Sequence, residues 1–183
     1  IASSTGGTEA LEKLLTGMPT DCPPILIVQH MISGFTKIFA ERLNSLCKMK
    51  VAEAKSGDLI KEGQVLIAPS DYHMKVVKRN SGYFTECFIS EKMHGVMPAA
   101  DILFFSMAEC FKSDAVGVVL TGMGADGALG ALKMRQNGAK TICQNKETCV
   151  VYGMPKAAKE MGAIDYELPI GDICKKALSL ASK

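Results

Sequence analysis

Two serines, Ser3 and Ser4, stand where a short apolar start gives way to Thr5-Gly6-Gly7 and a helix-like run. Farther along, His30 directly follows the apolar stretch ILIVQ, and Asp126 lies in the glycine-rich TGMGADG after AVGVVL. A hydroxyl, an imidazole and a carboxylate are the groups of acyl transfer. The hydroxyl attacks, the imidazole takes its proton, and the carboxylate fixes the imidazole tautomer and stabilises the cation. The order Ser, His, Asp differs from the Ser, Asp, His of α/β-hydrolases, but such triads are defined by geometry, not by sequence order. Gly6 and Gly7 let the backbone turn sharply into a helix whose first N–H groups are unpaired and point toward a developing oxyanion.

Taken singly, each residue has a plainer use. A serine before two glycines is a common turn or cap residue, a strand-end histidine is often a satisfied core group, and Asp126 stands where it would cap the next helix. His73 lies inside an alternating strand and reads as structural, and His94 sits in a turn-like, solvated stretch. STGGT lacks the Lys of a phosphate-binding loop and the spacing of a dinucleotide fingerprint. Cys143, at a strand end, is the nearest alternative nucleophile, but it has no evident partner. Three scattered histidines without an H-x-x-x-H pattern argue against a metal, and the proposed chemistry needs no cofactor.

The elements that must carry these residues alternate. Leu11, Leu14 and Leu15 share one face of a helix over 8–16, which Gly17 and Pro19 stop. Residues 25–29 form a strand buried on both faces, and 36–47 a helix capped by Thr36 or Ser33. The middle is β-rich: 51–54, 64–68 and the pair 72–78 and 83–89, the last two an antiparallel hairpin around Asn80-Ser81-Gly82. Pro98 opens a helix at a first-turn position. A strand over 115–121, a helix over 127–137 ended by Gly138, the strand TICQ, a helix after Pro155, a strand near Ile164 and a helix from Asp172 complete the chain. The pattern predicts an α/β domain with a doubly wound, mainly parallel sheet, helices on both faces and an inserted antiparallel hairpin. Ligands of such sheets bind beyond the carboxyl ends of the strands, and Ser4, His30 and Asp126 all fall there.

The chain has 183 residues, enough for one domain with a rigid core. Its net charge of +2 comes from interspersed Lys and Arg without a basic run, which speaks against nucleic acid. Apolar stretches fall short of the ~20 residues that span a bilayer, and the start lacks a secretory signal, so a cytoplasmic protein without membrane insertion is expected. Seven cysteines, an odd number without a C-x-x-C pair, read as reduced core thiols.

The motifs STGGTEAL, VQHM followed by GFTKIFAERLN, IAPSDYHM, AVGVVLTGMGADGA with MRQNGAKTICQN, and CVVYGMPKAA with MGAID extend over nearly the whole chain. With them the sequence resembles the catalytic domain of the bacterial chemotaxis methylesterases, the protein-glutamate methylesterase/glutamine deamidase family. The resemblance implies Ser4 as nucleophile, His30 as general base and acid, and Asp126 as orienting carboxylate. It also implies an oxyanion hole from the backbone amides of Thr5 and Met123, supported by Gly6, Gly7, Gly122 and Gly124.

The resemblance further implies a substrate, the γ-glutamyl methyl esters on cytoplasmic helices of chemoreceptors, and for some members deamidation of receptor glutamines. It implies partners as well: an N-terminal receiver domain, expected upstream of a catalytic domain over 1–183, and the histidine kinase that phosphorylates it. Ile32, where relatives commonly carry Pro, and residues 94–97, where many carry a basic stretch, depart from the pattern and bear on receptor docking. A hydrolase of another acyl substrate and a non-catalytic docking module are the alternatives.

Overall fold

The computed structural model describes residues 1–181. Seven strands form one parallel sheet: β1 (Ala2–Ser3), β2 (Ile25–Gln29), β3 (Lys50–Glu53), β4 (Gln64–Ile67), and, after the hairpin of β5 (His73–Arg79) and β6 (Gly82–Phe88), β7 (Val116–Val119), β8 (Lys140–Gln144) and β9 (Tyr166–Leu168). Their spatial order is β3-β4-β2-β1-β7-β8-β9, while β5 and β6 pair antiparallel as a separate sheet. The chain winds one way from β1 and later the other, so the order reverses between β1 and β7. That is the crevice where ligands of doubly wound sheets bind.

Six helices cover the sheet: α1 (Gly7–Thr16), α2 (Phe35–Leu46), α3 (Ala100–Cys110), α4 (Ala128–Gln136), α5 (Met154–Glu160) and α6 (Ile170–Ala181). Because side chains alternate along a strand, Ile27, Val65 and Ile67 pack with Leu11, Leu14, Leu15 and Leu43 on the face of α1, α2 and α6. Leu26, Val28 and Leu66 pack with Leu103, Phe104 and Met134 on the other face, where α3, α4, α5 and the hairpin lie. Each fully buried Leu or Ile contributes about 1.5–3 kcal/mol relative to exposure.

Two expectations are corrected, both at helix starts. Helix α2 is entered through Gly34 at φ 82°, not through a Ser or Thr cap; the Thr36 hydroxyl is turned inward to Glu53 and Ser70, and Ser33 bonds Asp71. Helix α3 begins at Ala100, with Ala99 as its extended entry residue, so Pro98 precedes the helix. The last strand lies at Tyr166–Leu168, just beyond Ile164. The seven thiols are free, as expected: Cys22 and Cys143 are buried, and Cys47, Cys87, Cys110 and Cys174 pack half-buried against the core. Among the described residues no helix is long and apolar enough to cross a membrane.

Candidate active site

Ser3 and Ser4 have opposite fates. Ser3 is fully buried and its hydroxyl donates to Gln29 Oε1 at 2.6 Å. Gln29 in turn donates through Nε2 to the carbonyls of Ser4 and His30, each at 2.9 Å, clamping the ends of β1 and β2 together. Register pairs Ser3 with Gln29, and His30 N donates to Ser3 O at 3.0 Å, so Ser4 and His30 emerge side by side from neighbouring strands. On the other flank Ser4 N donates to Thr121 O at 3.0 Å.

The imidazole of His30 donates from Nε2 to Asp126 Oδ2 at 2.8 Å, which leaves Nδ1 as the ring nitrogen for a hydroxyl. Asp126 is 2 % exposed. Its Oδ2 also accepts from Ala100 N at 2.6 Å and its Oδ1 from Asp101 N at 3.0 Å, the first two amides of α3. Burial alone would push this carboxyl up, but the bonds from His30 and the two amides outweigh it and hold it below the usual carboxylate range. The helix end faces the carboxylate, so its dipole acts in the same direction.

The glycines explain the close approach of three loops. Gly6 enters α1 at φ 77°, a region that favours glycine, and a Cβ there would lie 2.5 Å from Val150 Cβ. A Cβ on Gly122 would lie 2.3 Å from Met154 Sδ and 2.7 Å from Ser4 Cβ. Gly122→Ala is therefore expected to lower stability by about 1–3 kcal/mol through overpacking and to displace Ser4. Thermal unfolding and the rate of labelling by a serine-directed phosphonate measure the two effects; unchanged values for both would refute the contact.

Thr5 and Met123 occupy the two turns flanking Ser4, and their amides donate to no acceptor among the described residues. Met123 is 70 % exposed at the rim. The turns are cross-tied: Thr121 Oγ1 lies 3.0 Å from Thr5 O and accepts from Val151 N at 3.0 Å, and Gly122 O accepts from Gly153 N and Met154 N. Gln144, at the end of β8, accepts from Thr121 N and donates to Thr148 O.

Sequence reasoning passed over Gln29, Thr121, Gln144 and the α3 amides. The available signal was a Gln closing an otherwise apolar strand in both ILIVQ and TICQ, since a buried carboxamide there must serve backbone groups. His73 is buried between Ala99 N and Glu91 O, as a structural residue should be. His94 is exposed, as a turn-like stretch implies, and its ring also donates to buried Asp101 at 2.6 Å. Ligand atoms of His94, Asp101 and Asp126 lie within 4.8 Å of one another, but their close contacts are with N–H donors, which makes the group a hydrogen-bonded network.

A parallel doubly wound domain with a hydroxyl, an imidazole and a buried, amide-held carboxylate at adjoining strand ends has the inventory of the serine hydrolases. The model of the CheB methylesterase family matches residues 1–177, and the chain belongs to that family. It is 51% identical over 180 residues to a protein-glutamate methylesterase/protein-glutamine glutaminase of Bdellovibrio bacteriovorus, covering 96% of this chain and 51% of that one. The same name is carried by a relative from Sulfurimonas denitrificans, 49% identical over 183 residues, with 100% of this chain and 52% of the relative covered. The chain thus spans about half the length of these relatives. The crystal structure of the Thermotoga maritima CheB methylesterase catalytic domain superposes with a TM-score of 0.96 at 43% identity, covering 98% of this chain and 95% of that one.

Proposed function

We propose that this domain hydrolyses glutamate γ-methyl esters on the cytoplasmic helices of chemoreceptors, with Ser4 as nucleophile, His30 as general base and acid, and Asp126 as its orienting partner. The observation that carries the reading is the 2.8 Å bond from His30 Nε2 to a buried, ionised Asp126, with Ser4 in register beside His30. Membership of the CheB methylesterase family supports a methyl-ester substrate.

In the reaction, Ser4 Oγ adds to the ester carbonyl while its proton passes to His30 Nδ1. The tetrahedral oxyanion is received by the amides of Thr5 and Met123. Collapse breaks the bond to the methoxy group, which takes the proton from His30 and leaves as methanol. Water then attacks the γ-glutamyl ester of Ser4, His30 accepting one proton and returning it to Ser4 as the γ-carboxylic acid departs and ionises, releasing a proton to solvent. Attack on a receptor glutamine would run the same course with ammonia leaving.

The setting is cytoplasmic, with regulation by an N-terminal receiver domain and its histidine kinase; family relatives about twice as long as this chain leave room for such a unit. Ile32, 77 % exposed just after His30, belongs to the surface a receptor helix would meet. The test is mass spectrometry of methylated receptor segments. Loss of the methyl mass with the native protein, and its retention with Ser4→Ala, is expected. Retention by the native protein would overturn the proposal, and cleavage of a simple activated ester in the same preparation would then indicate another acyl substrate.

A further inference from the structure

Helix α3 grips Asp126 through the amides of Ala100 and Asp101, and that helix end is itself held from two sides. The Asp101 side chain, fully buried, accepts from Gly130 N of α4 at 2.6 Å on Oδ1 and from His94 Nε2 at 2.6 Å on Oδ2. At Gly130 the two helices nearly touch: a Cβ there would lie 2.4 Å from Phe104 Cβ and 3.1 Å from Asp101 O. His94 reaches in from the loop between β6 and α3, from a left-handed backbone at φ 54° inside a turn closed by a bridge between Met93 and Val96. One residue before the helix, Ala99 N donates to His73 Nδ1.

We infer that His94 and Asp101 are a positioning pair for the reaction: their bond fixes the α3 N-terminus where its two amides hold the carboxylate that orients His30. This rests on the proposed role of Asp126. The pair touches no reacting atom and acts only through those amides. Keeping it is costly, because burial and the neighbouring Asp126 charge push the Asp101 carboxyl above its ordinary range, against the lowering by Gly130 N–H and His94. A carboxyl raised in this way favours the fold below its ordinary range and loses that contribution as pH rises through its folded value, so at neutral pH the ionised form is the less favourable one for stability. A residue chosen for folding alone would more simply be neutral.

The test compares disruptive with conservative variants by steady-state kinetics on methylated receptor segments and by proton NMR of the low-field imidazole N–H shared between His30 and Asp126. Asp101→Ala and His94→Ala are expected to lower kcat about tenfold with KM nearly unchanged, since small misplacements near the reacting groups act on rate. The low-field proton should broaden or vanish in both. His94→Gln, whose carboxamide still donates to Asp101, and Asp101→Asn, whose carboxamide donates back to the ring nitrogen, should restore rate and signal together. Alanine variants that are folded at the assay temperature, with native kcat and an unchanged low-field proton, would overturn the pair's role. His94 is one-third exposed and keeps the test usable if Asp101→Ala does not fold. The NMR arm needs no substrate: its failure in an active enzyme rejects the positioning pair, whereas a responsive signal in a protein inactive on methyl esters rejects the proposed function instead.

Discussion

Ser4→Ala is expected to slow methyl-ester hydrolysis by about four orders of magnitude or more, while Ser3→Ala retains most of the activity and loses stability. Under the proposed mechanism Ser4 is the nucleophile, and its removal leaves only what binding and the oxyanion hole supply. Ser3 serves the fold instead, because its hydroxyl is the donor to Gln29 Oε1 in a site closed to water. Alanine there leaves a buried carbonyl oxygen without its partner, at a cost of about 1–3 kcal/mol. The two measurements are methanol release and thermal unfolding. An active Ser4→Ala beside a dead, well-folded Ser3→Ala would exchange the two assignments.

Asp126→Asn is expected to fold and to lose about 10⁴ in kcat. The site offers three donors to this side chain: Ala100 N, Asp101 N and His30 Nε2. A carboxamide has one acceptor end and must turn its NH₂ toward at least one of them. If the NH₂ faces His30, the ring proton moves to Nδ1 and the base is held in the wrong tautomer. If it faces Asp101 N, two donors are apposed and the grip of α3 weakens. In either case the charge that stabilises the imidazolium is gone. Because Asp126 is held below the ordinary carboxylate range, its contribution to stability is present above that range and lost as pH falls through the lower folded value. The Asn variant should therefore melt earlier near neutrality and show a flatter acid dependence. Native turnover in a folded Asp126→Asn would remove the carboxylate from the mechanism.

What could be read in the sequence was whatever is local. Strand β2 was bounded to the residue, because a continuous apolar run between Pro24 and His30 has few alternatives. The hairpin followed from alternation around a Gly-containing turn. From those elements the sheet edge shared by Ser4, His30 and Asp126 could be inferred, and the CheB family motifs gave each residue a role. Partners distant in sequence were not legible. Thr36 has the type of a cap, yet its hydroxyl is claimed by Glu53 and Ser70 across the β3 and β4 ends, so glycine makes the turn. Pro98 would suit a first turn, yet the first free amides of α3 point at a carboxylate about 26 residues away. His94 is exposed as its stretch suggests, but nothing near it in the chain reveals its bond to Asp101 behind the loop.

The shortest strand of the sheet, two residues long, is followed at once by a second hydroxyl like the one that closes it. A slip of one residue, ~3.3 Å, would still deliver a serine to the sheet edge, but with its neighbours reversed in facing. Residue types at the edge would not betray the error, whereas the pairing of Ser3 with a carboxamide does. Gln29 takes the Ser3 hydroxyl into the interior, and Ser4 is the serine left at the sheet edge.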